Sequence, residues 1–365
     1  MEKLMILLLF PLAFPFIAKM IWKKTLNWQE TGLNVVLVSF VTIVVWQLGT
    51  FSATSDTEIW NGYLVSKQRD EGSYVRSYSC MCVPDGNGGT TCQTCYENHY
   101  TVDWTADTTV GGVTFDSLDS TSSSVYDEPD PESYVRAKVN DPVALEKRYT
   151  NYVKAVPESL FHDDSTVAQQ FVGKIPSYPS VYDFYHINRV LVVDAKVPST
   201  VHDTLNKGLS EMLRTLGASK QVNIIMIVTG INDPTYRYAI ENAWLGGKKN
   251  DVILFIGVDG KKIVWSDVMT WAMNSGNELF QVTMRDNLKK IGELNPDKLL
   301  PMIKTTITKL YDRPHMRDYE YLKDAIEPPM WVLILGVLFA FGGSIGLTFY
   351  FHKNDIDFLQ NTRFG

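Results

Sequence analysis

The chain has 365 residues, length for about two domains, and it is mildly acidic, with a formal net charge of -7 and 21% charged residues. Its Lys and Arg are scattered, which argues against nucleic acid as a partner. Hydrophobic residues make up 45% of the chain but are unevenly spread, and that places it among membrane proteins.

Three apolar stretches have bilayer length. Residues 4–22 read LMILLLFPLAFPFIAKMIW, residues 33–48 read LNVVLVSFVTIVVWQL and extend to about Ala53, and residues 330–351 read MWVLILGVLFAFGGSIGLTFYF. A spanning helix needs about 20 mostly apolar residues, and the second and third meet this with no ionised residue inside. The spans are expected over residues 1–24, 31–53 and 330–351. Pro11, Pro15 and Lys19 interrupt the first. It reads as a kinked anchor rather than a signal peptide, because only Lys3 precedes it and no small-x-small cleavage site follows. Lys19, Lys23 and Lys24 mark the first loop, and Lys353 and Arg363 the tail at 352–365, while Asp324 and Glu327 precede the last span. A Lys/Arg bias of this kind puts the loop and tail in the cytoplasm. The long intervening region is then extracytoplasmic, periplasmic in a bacterium.

After the second span, WNGYLVSKQR (60–69) and YENHYTVDWTADTT (96–109) alternate apolar with polar residues, the signature of half-buried strands. All four cysteines fall between them, in CMCVPDGNGGTTCQTC. PDGNGG is turn chemistry, so Cys80 and Cys82 face Cys92 and Cys95 across a hairpin. Such a set can close two disulfides or hold zinc, with free thiols the remaining alternative. The expected compartment favours disulfides. Residues 54–150 are read as a small β subdomain, with 117–131 (SLDSTSSSVYDEPDP) a mobile loop and 151–186 a linker.

From Arg189 the pattern changes. RVLVVD is a strand, and Pro198 opens a helix with Val201, Leu205, Leu209, Met212 and Leu216 on one face, stopped at Gly217. QVNIIMIVTG and DVILFIGVD are continuous apolar runs, as strands buried on both faces of a parallel sheet require. A short helix from Pro234 to Trp244 joins them. Asp259-Gly260 turns the chain back into KKIVWSDV, antiparallel. Two helices follow, near 277–291 and 296–311. Right-handed crossovers make this order a three-layer α/β domain.

In an open α/β sheet, ligands bind beyond the carboxyl ends of the parallel strands. Asp194, Asn232, Asp233 and Asp259 fall there, and their oxygens suit Ca²⁺ or Mg²⁺. The alternative is that they only form turns. No GxSxG, P-loop or HExxH motif occurs, and the six histidines are scattered. Gly342 and Gly346 form a G-x-x-x-G pair that permits close helix packing, against the second span or a second copy of the chain.

VVDAKVPS, the long helix, VNIIMIVTG and YAIENAWLGGKKNDVILFIGVDGKKIVW together resemble the TPM domain. That family includes thylakoid-lumen proteins of photosystem II repair, bacterial membrane-anchored proteins and an auxiliary subunit of nematode acetylcholine receptors. The resemblance is carried by Asp194, Ala239, Trp244, Gly247 and Asn250, covers about residues 187–311 of a domain read over 187–313, and departs at Asp251, where the family usually has Gly. The part before it, including WNGYLVSKQRDE and CYENHYTVDW, is similar to segments of tailed-phage membrane proteins. The expected fold is therefore an α+β membrane protein with three transmembrane helices, a disulfide-stapled β subdomain and a TPM-like domain. The resemblance implies a binding or scaffold protein acting on other membrane proteins. A metal-dependent phosphatase, the activity suggested for some TPM relatives, and a phage-encoded envelope protein acting at the host membrane are the alternatives. The expected partners are the lipid bilayer and another membrane protein or a second copy.

Overall fold

The structure, a computed structural model, describes residues 2–22, 26–84, 89–156, 169–183, 186–271 and 276–354. Lys23, Lys24, Arg363, His162 and residues 85–88, where the sequence leads one to expect a turn, lie outside these residues. The chain divides into two compact units, one formed by residues 1–56, 148–162 and 315–365 and the other by 57–147 and 163–314.

The first unit holds three helices long and apolar enough to cross a membrane, α1 (Glu2–Ile21), α2 (Trp28–Thr54) and, last in the chain, α8 (Met330–Asn354). These helices mark the molecule as a membrane protein. Pro11 and Pro15 lie inside α1 without ending it; neighbouring helices can satisfy the carbonyls such prolines free. In NWQE, Asn27 caps α2 and Glu30 bonds back to the Asn27 amide at 2.7 Å, a full capping box.

Glu30, Asn34, Val38, Thr42, Trp46 and Gly49 recur every three or four residues and form the buried stripe of α2. Within it, the Asn34 Nδ2 donates to the Ser344 carbonyl at 3.0 Å and to Thr348 Oγ1 at 2.9 Å. Ser344 directly follows a π turn, Leu338–Gly343, within α8. The two helices approach closely at Gly49, where a Cβ would stand 2.3 Å from Val332. Gly342 and Gly346 are different, because a Cβ on either would meet nothing within 4 Å. The G-x-x-x-G pair therefore does not pack on the second span. Glycines that look alike in sequence are separated here by helix phase.

In the second unit a four-stranded antiparallel sheet has the order β3-β2-β1-β4, with β1 (Ser55–Pro84), β2 (Thr90–Thr108), β3 (Gly111–Ser120) and β4 (Pro142–Thr150). Leu64, Val102, Trp104, Phe115, Val125 and Val143 form its core. The first two strands run far beyond the alternating stretches, because they pair with each other out to Pro84 and Thr90. Residues 117–131 are not a loop throughout: Ser117–Ser120 finish β3, a 3-10 turn (Ser123–Asp127) buries Val125, and Asp130 accepts from the Trp104 indole at 2.7 Å. A short helix α3 (Glu132–Arg136) follows.

A two-residue pair, β5 (Val181–Tyr182) and β6 (His186–Ile187), precedes the second sheet, of order β10-β9-β8-β7. β7 (Val190–Val193), β8 (Asn223–Thr229) and β9 (Asp251–Asp259) are parallel, and β10 (Lys262–Met269) is antiparallel to β9. Alternation sends Ile224, Met226, Val228, Leu254 and Ile256 to one face, against α4 (Ser199–Lys220), α6 (Asn277–Ile291) and α7 (Pro296–Leu310). Ile225, Ile227, Ile253 and Phe255 go to the other, against α5 (Tyr236–Ala243) and Phe171. Phe171, Ile175 and Tyr178 thus belong to this core rather than to a linker. An irregular segment lacks the periodicity that would reveal such burial.

Helix α4 passes through Gly217 and ends at Gln221, which takes the left-handed conformation (φ 50°). Gly217 is a contact residue instead. A Cβ there would stand 2.4 Å from the Asn61 carbonyl oxygen.

Candidate functional site

The strand-end residues form no shared site. Asp194 pairs with Lys174 Nζ at 2.8 Å, Asp233 accepts from the Thr235 amide at 2.9 Å and its hydroxyl at 2.8 Å, and Asn232 and Asp259 are both exposed. Among the described residues no group of three or more His, Cys, Asp or Glu could hold a metal ion. Local bonds take these oxygens one by one, as the Asx turn at Asp233 does. The four cysteines do come together, as disulfides Cys80–Cys95 and Cys82–Cys92, with Cα separations of 5.8 and 4.0 Å.

The buried polar groups converge at the opposite, amino-terminal ends of the parallel strands. A polar residue opens or precedes each strand: Arg189 before VLVV, Asn223 before IIMIVT and Asp251 before VILFIGVD. Parallel pairing sets Asn223 beside Asp251. All three side chains are buried, so their polar atoms need partners within the fold. Arg189 Nη1 donates to Asn223 Oδ1 at 2.6 Å, and Nη2 donates to Asn61 Oδ1. Asn61 in turn donates to the Val222 carbonyl at 3.0 Å. Asn223 Nδ2 donates to Asp251 Oδ1 at 2.8 Å, and the other carboxylate oxygen accepts from the Lys248 amide at 2.7 Å and the Tyr178 hydroxyl at 2.9 Å.

Burial dominates the electrostatics. Loss of water pushes Asp251 up to about 6, although its three donors pull it down. The same loss brings Arg189 down to about 9, against the attraction of Tyr178 and Asp251. Both carboxylate oxygens of Asp251 are thus engaged, and the group ties Tyr178 and the loop at Lys248 to the end of the strand.

Tyr178 carries this network to the surface. Together with Pro176, Trp244, Leu245 and Lys248 it lines a cleft of about 430 Å³. The Tyr178 and Trp244 rings meet edge to face, 5.2 Å apart, and the Trp244 indole donates to the Pro176 carbonyl at 2.9 Å. Leu245, Gly246 and Gly247 all have positive φ, of 50°, 75° and 72°. For Leu245 that conformation costs roughly 1–2 kcal/mol, and such strain concentrates at ligand clamps. Arg189 also lines a second cleft of about 360 Å³, with Asp203, Asn206, Lys207 and Glu211.

Sequence patterning points to the carboxyl ends of the strands, whereas the buried polar cluster lies at their amino ends; Asp251 enters the sequence reading only as a departure from the TPM pattern. The available signal was an ionisable or amide residue beside each apolar strand. No signal ties Tyr178 or Asn61 to them, because only tertiary contact joins these segments.

Comparison of the chain with family models, curated proteins and solved structures finds no match.

Proposed function

We propose that the chain is a membrane-anchored binding or scaffold protein whose disulfide-bearing ribbon and α/β domain face out of the cytoplasm and engage other membrane proteins. The observation that carries this reading is the pairing of all four cysteines in a chain with three membrane-length helices. Disulfides persist in oxidising compartments. The basic residues of the short loop and tail support the same sidedness. A buried carboxylate saturated by three donors favours binding over catalysis, and the resemblance to TPM proteins points the same way.

A reporter that fluoresces only in the cytoplasm, fused after Gly365, should be bright, and one placed at Ser120 dark; the reverse pattern would invert the topology. Purification from native membranes should bring down a membrane protein in fixed ratio. Recovery of the chain alone would count against the scaffold reading.

A further inference from the structure

The stapled ribbon has a root, and a histidine sits in it. Pairing of β3 with β2 stops at Ser120 opposite Tyr100, whereas β1 and β2 continue as two strands to Pro84 and Thr90. At this boundary Tyr74 of β1 lies across from His99 of β2, their rings stacked 5.0 Å apart. Asp119, one residue from the end of β3, reaches both. Its Oδ1 is 2.6 Å from His99 Nδ1, and its Oδ2 accepts from the Tyr74 hydroxyl at 2.7 Å. The second ring nitrogen, Nε2, faces Glu97 Oε1 at 3.1 Å.

Carboxylates on both ring nitrogens decide the protonation state. A neutral imidazole has one N–H and one lone pair, so it would turn a lone pair toward either Asp119 or Glu97. The imidazolium donates to both. Hydrogen bonds to Asp119 and then Glu97 raise the proton affinity of His99 above its ordinary value, and the bonds from Tyr74 and His99 hold Asp119 low. Arg76, opposite Glu97 in the register, is a further charge near the group, and it too lowers Asp119.

We propose that His99 is a proton-operated latch that fastens the end of β3 to the root of the ribbon, closed as the imidazolium and open as the neutral ring. The latch does not depend on the topology proposed above. Because the folded form holds the proton more tightly than the unfolded chain, the latch is fully closed below pH about 6.5 and opens as pH rises through the raised value. Acidification does not open it until Asp119 itself is protonated, and that carboxyl is held low.

The test uses the full chain in lipid nanodiscs. Nuclear magnetic resonance of the histidine Cε1–H groups, with His99 identified by its loss in His99→Gln, should place the His99 titration above the ordinary imidazole value. Hydrogen exchange of the Leu118, Asp119 and Ser120 amides, corrected for the intrinsic rate at each pH, should report the opening. Protection should fall between pH 6 and 9 in the wild type, as linkage to a more tightly held proton requires. The fall should vanish in His99→Gln. A His99 titration at or below the ordinary value, or an unchanged fall in the variant, overturns the latch. Glu97→Gln removes an accessible carboxylate without touching the core, so it serves if His99→Gln misfolds. It should move the His99 titration downward, and an unmoved titration also overturns the proposal.

Discussion

A carboxylate that opens a strand buried on both faces must give up its water, and Asp251 keeps its place because three donors replace that water. Its folded value of about 6 stands above the ordinary aspartate value of about 3.9, a difference worth about 3 kcal/mol. The folded form binds the proton more tightly, so this contribution is fully present below pH about 4 and is lost as pH rises through about 6. Urea unfolding of the full chain at pH 4, 5, 6 and 7 should show that decline, and Asp251→Asn should flatten it. At pH 4 the variant should be weaker by about 1–3 kcal/mol, because an amide N–H then competes with one of the donors now facing the carboxylate. Gly217 makes the second residue-scale case. On helix propensity alone Gly217→Ala would stabilise by about 1 kcal/mol. With the Asn61 carbonyl 2.4 Å from the new methyl, it should instead destabilise by about 1–3 kcal/mol, read as a lower melting temperature.

Among elements, the β1–β2 ribbon depends most on covalent help. A two-stranded hairpin beyond its sheet is marginal in water, and the described ribbon exposes Tyr78, Met81, Val83 and Tyr96 rather than burying them. Its two disulfides, spanning 15 and 10 residues of sequence, restrict the unfolded chain and should each contribute about 3 kcal/mol. The purified protein should therefore present no titratable thiol until reduced, and should carry no stoichiometric zinc by metal analysis. Reduction should increase hydrogen exchange from Gly72 to Val83 while leaving β8 and β9 protected. In the membrane unit, α2 is tied to α8 by the Asn34 amide, which bonds to both Ser344 and Thr348. Asn34→Val should loosen that pair by about 1 kcal/mol, in the range measured for hydrogen bonds between membrane helices. Unfolding in mixed micelles would report it.

Across the whole molecule, what could be read in the sequence was local. The second and third membrane helices announce themselves by continuous hydropathy and the first by an apolar run that Pro11, Pro15 and Lys19 interrupt, the β subdomain by alternation around a turn-rich cysteine hairpin, and the parallel sheet by strands apolar on both faces separated by helix-length segments. The antiparallel return after Asp259 and both late helices follow from those patterns and from short connections. The site did not follow, because patterning ranks turn residues at strand ends without showing whether their oxygens meet. Asp194 and Asp233 are engaged separately, and Asp259 is left exposed.

The sequence by itself determined the type and order of the strongly patterned elements, the membrane assignment and the cysteine facing, since each depends on periodicity or spacing within a few tens of residues. Tertiary structure alone decided which polar residues share a buried site. It also decided that Gly217 is a contact and not a stop, and that Gly49 rather than Gly342 or Gly346 meets a neighbouring helix. The physical reason is the same in each case. Asn61 lies 128 positions from Arg189, and Tyr178 lies 73 from Asp251. A buried group meets whatever the packed strands and helices bring within reach, not its neighbours in the chain.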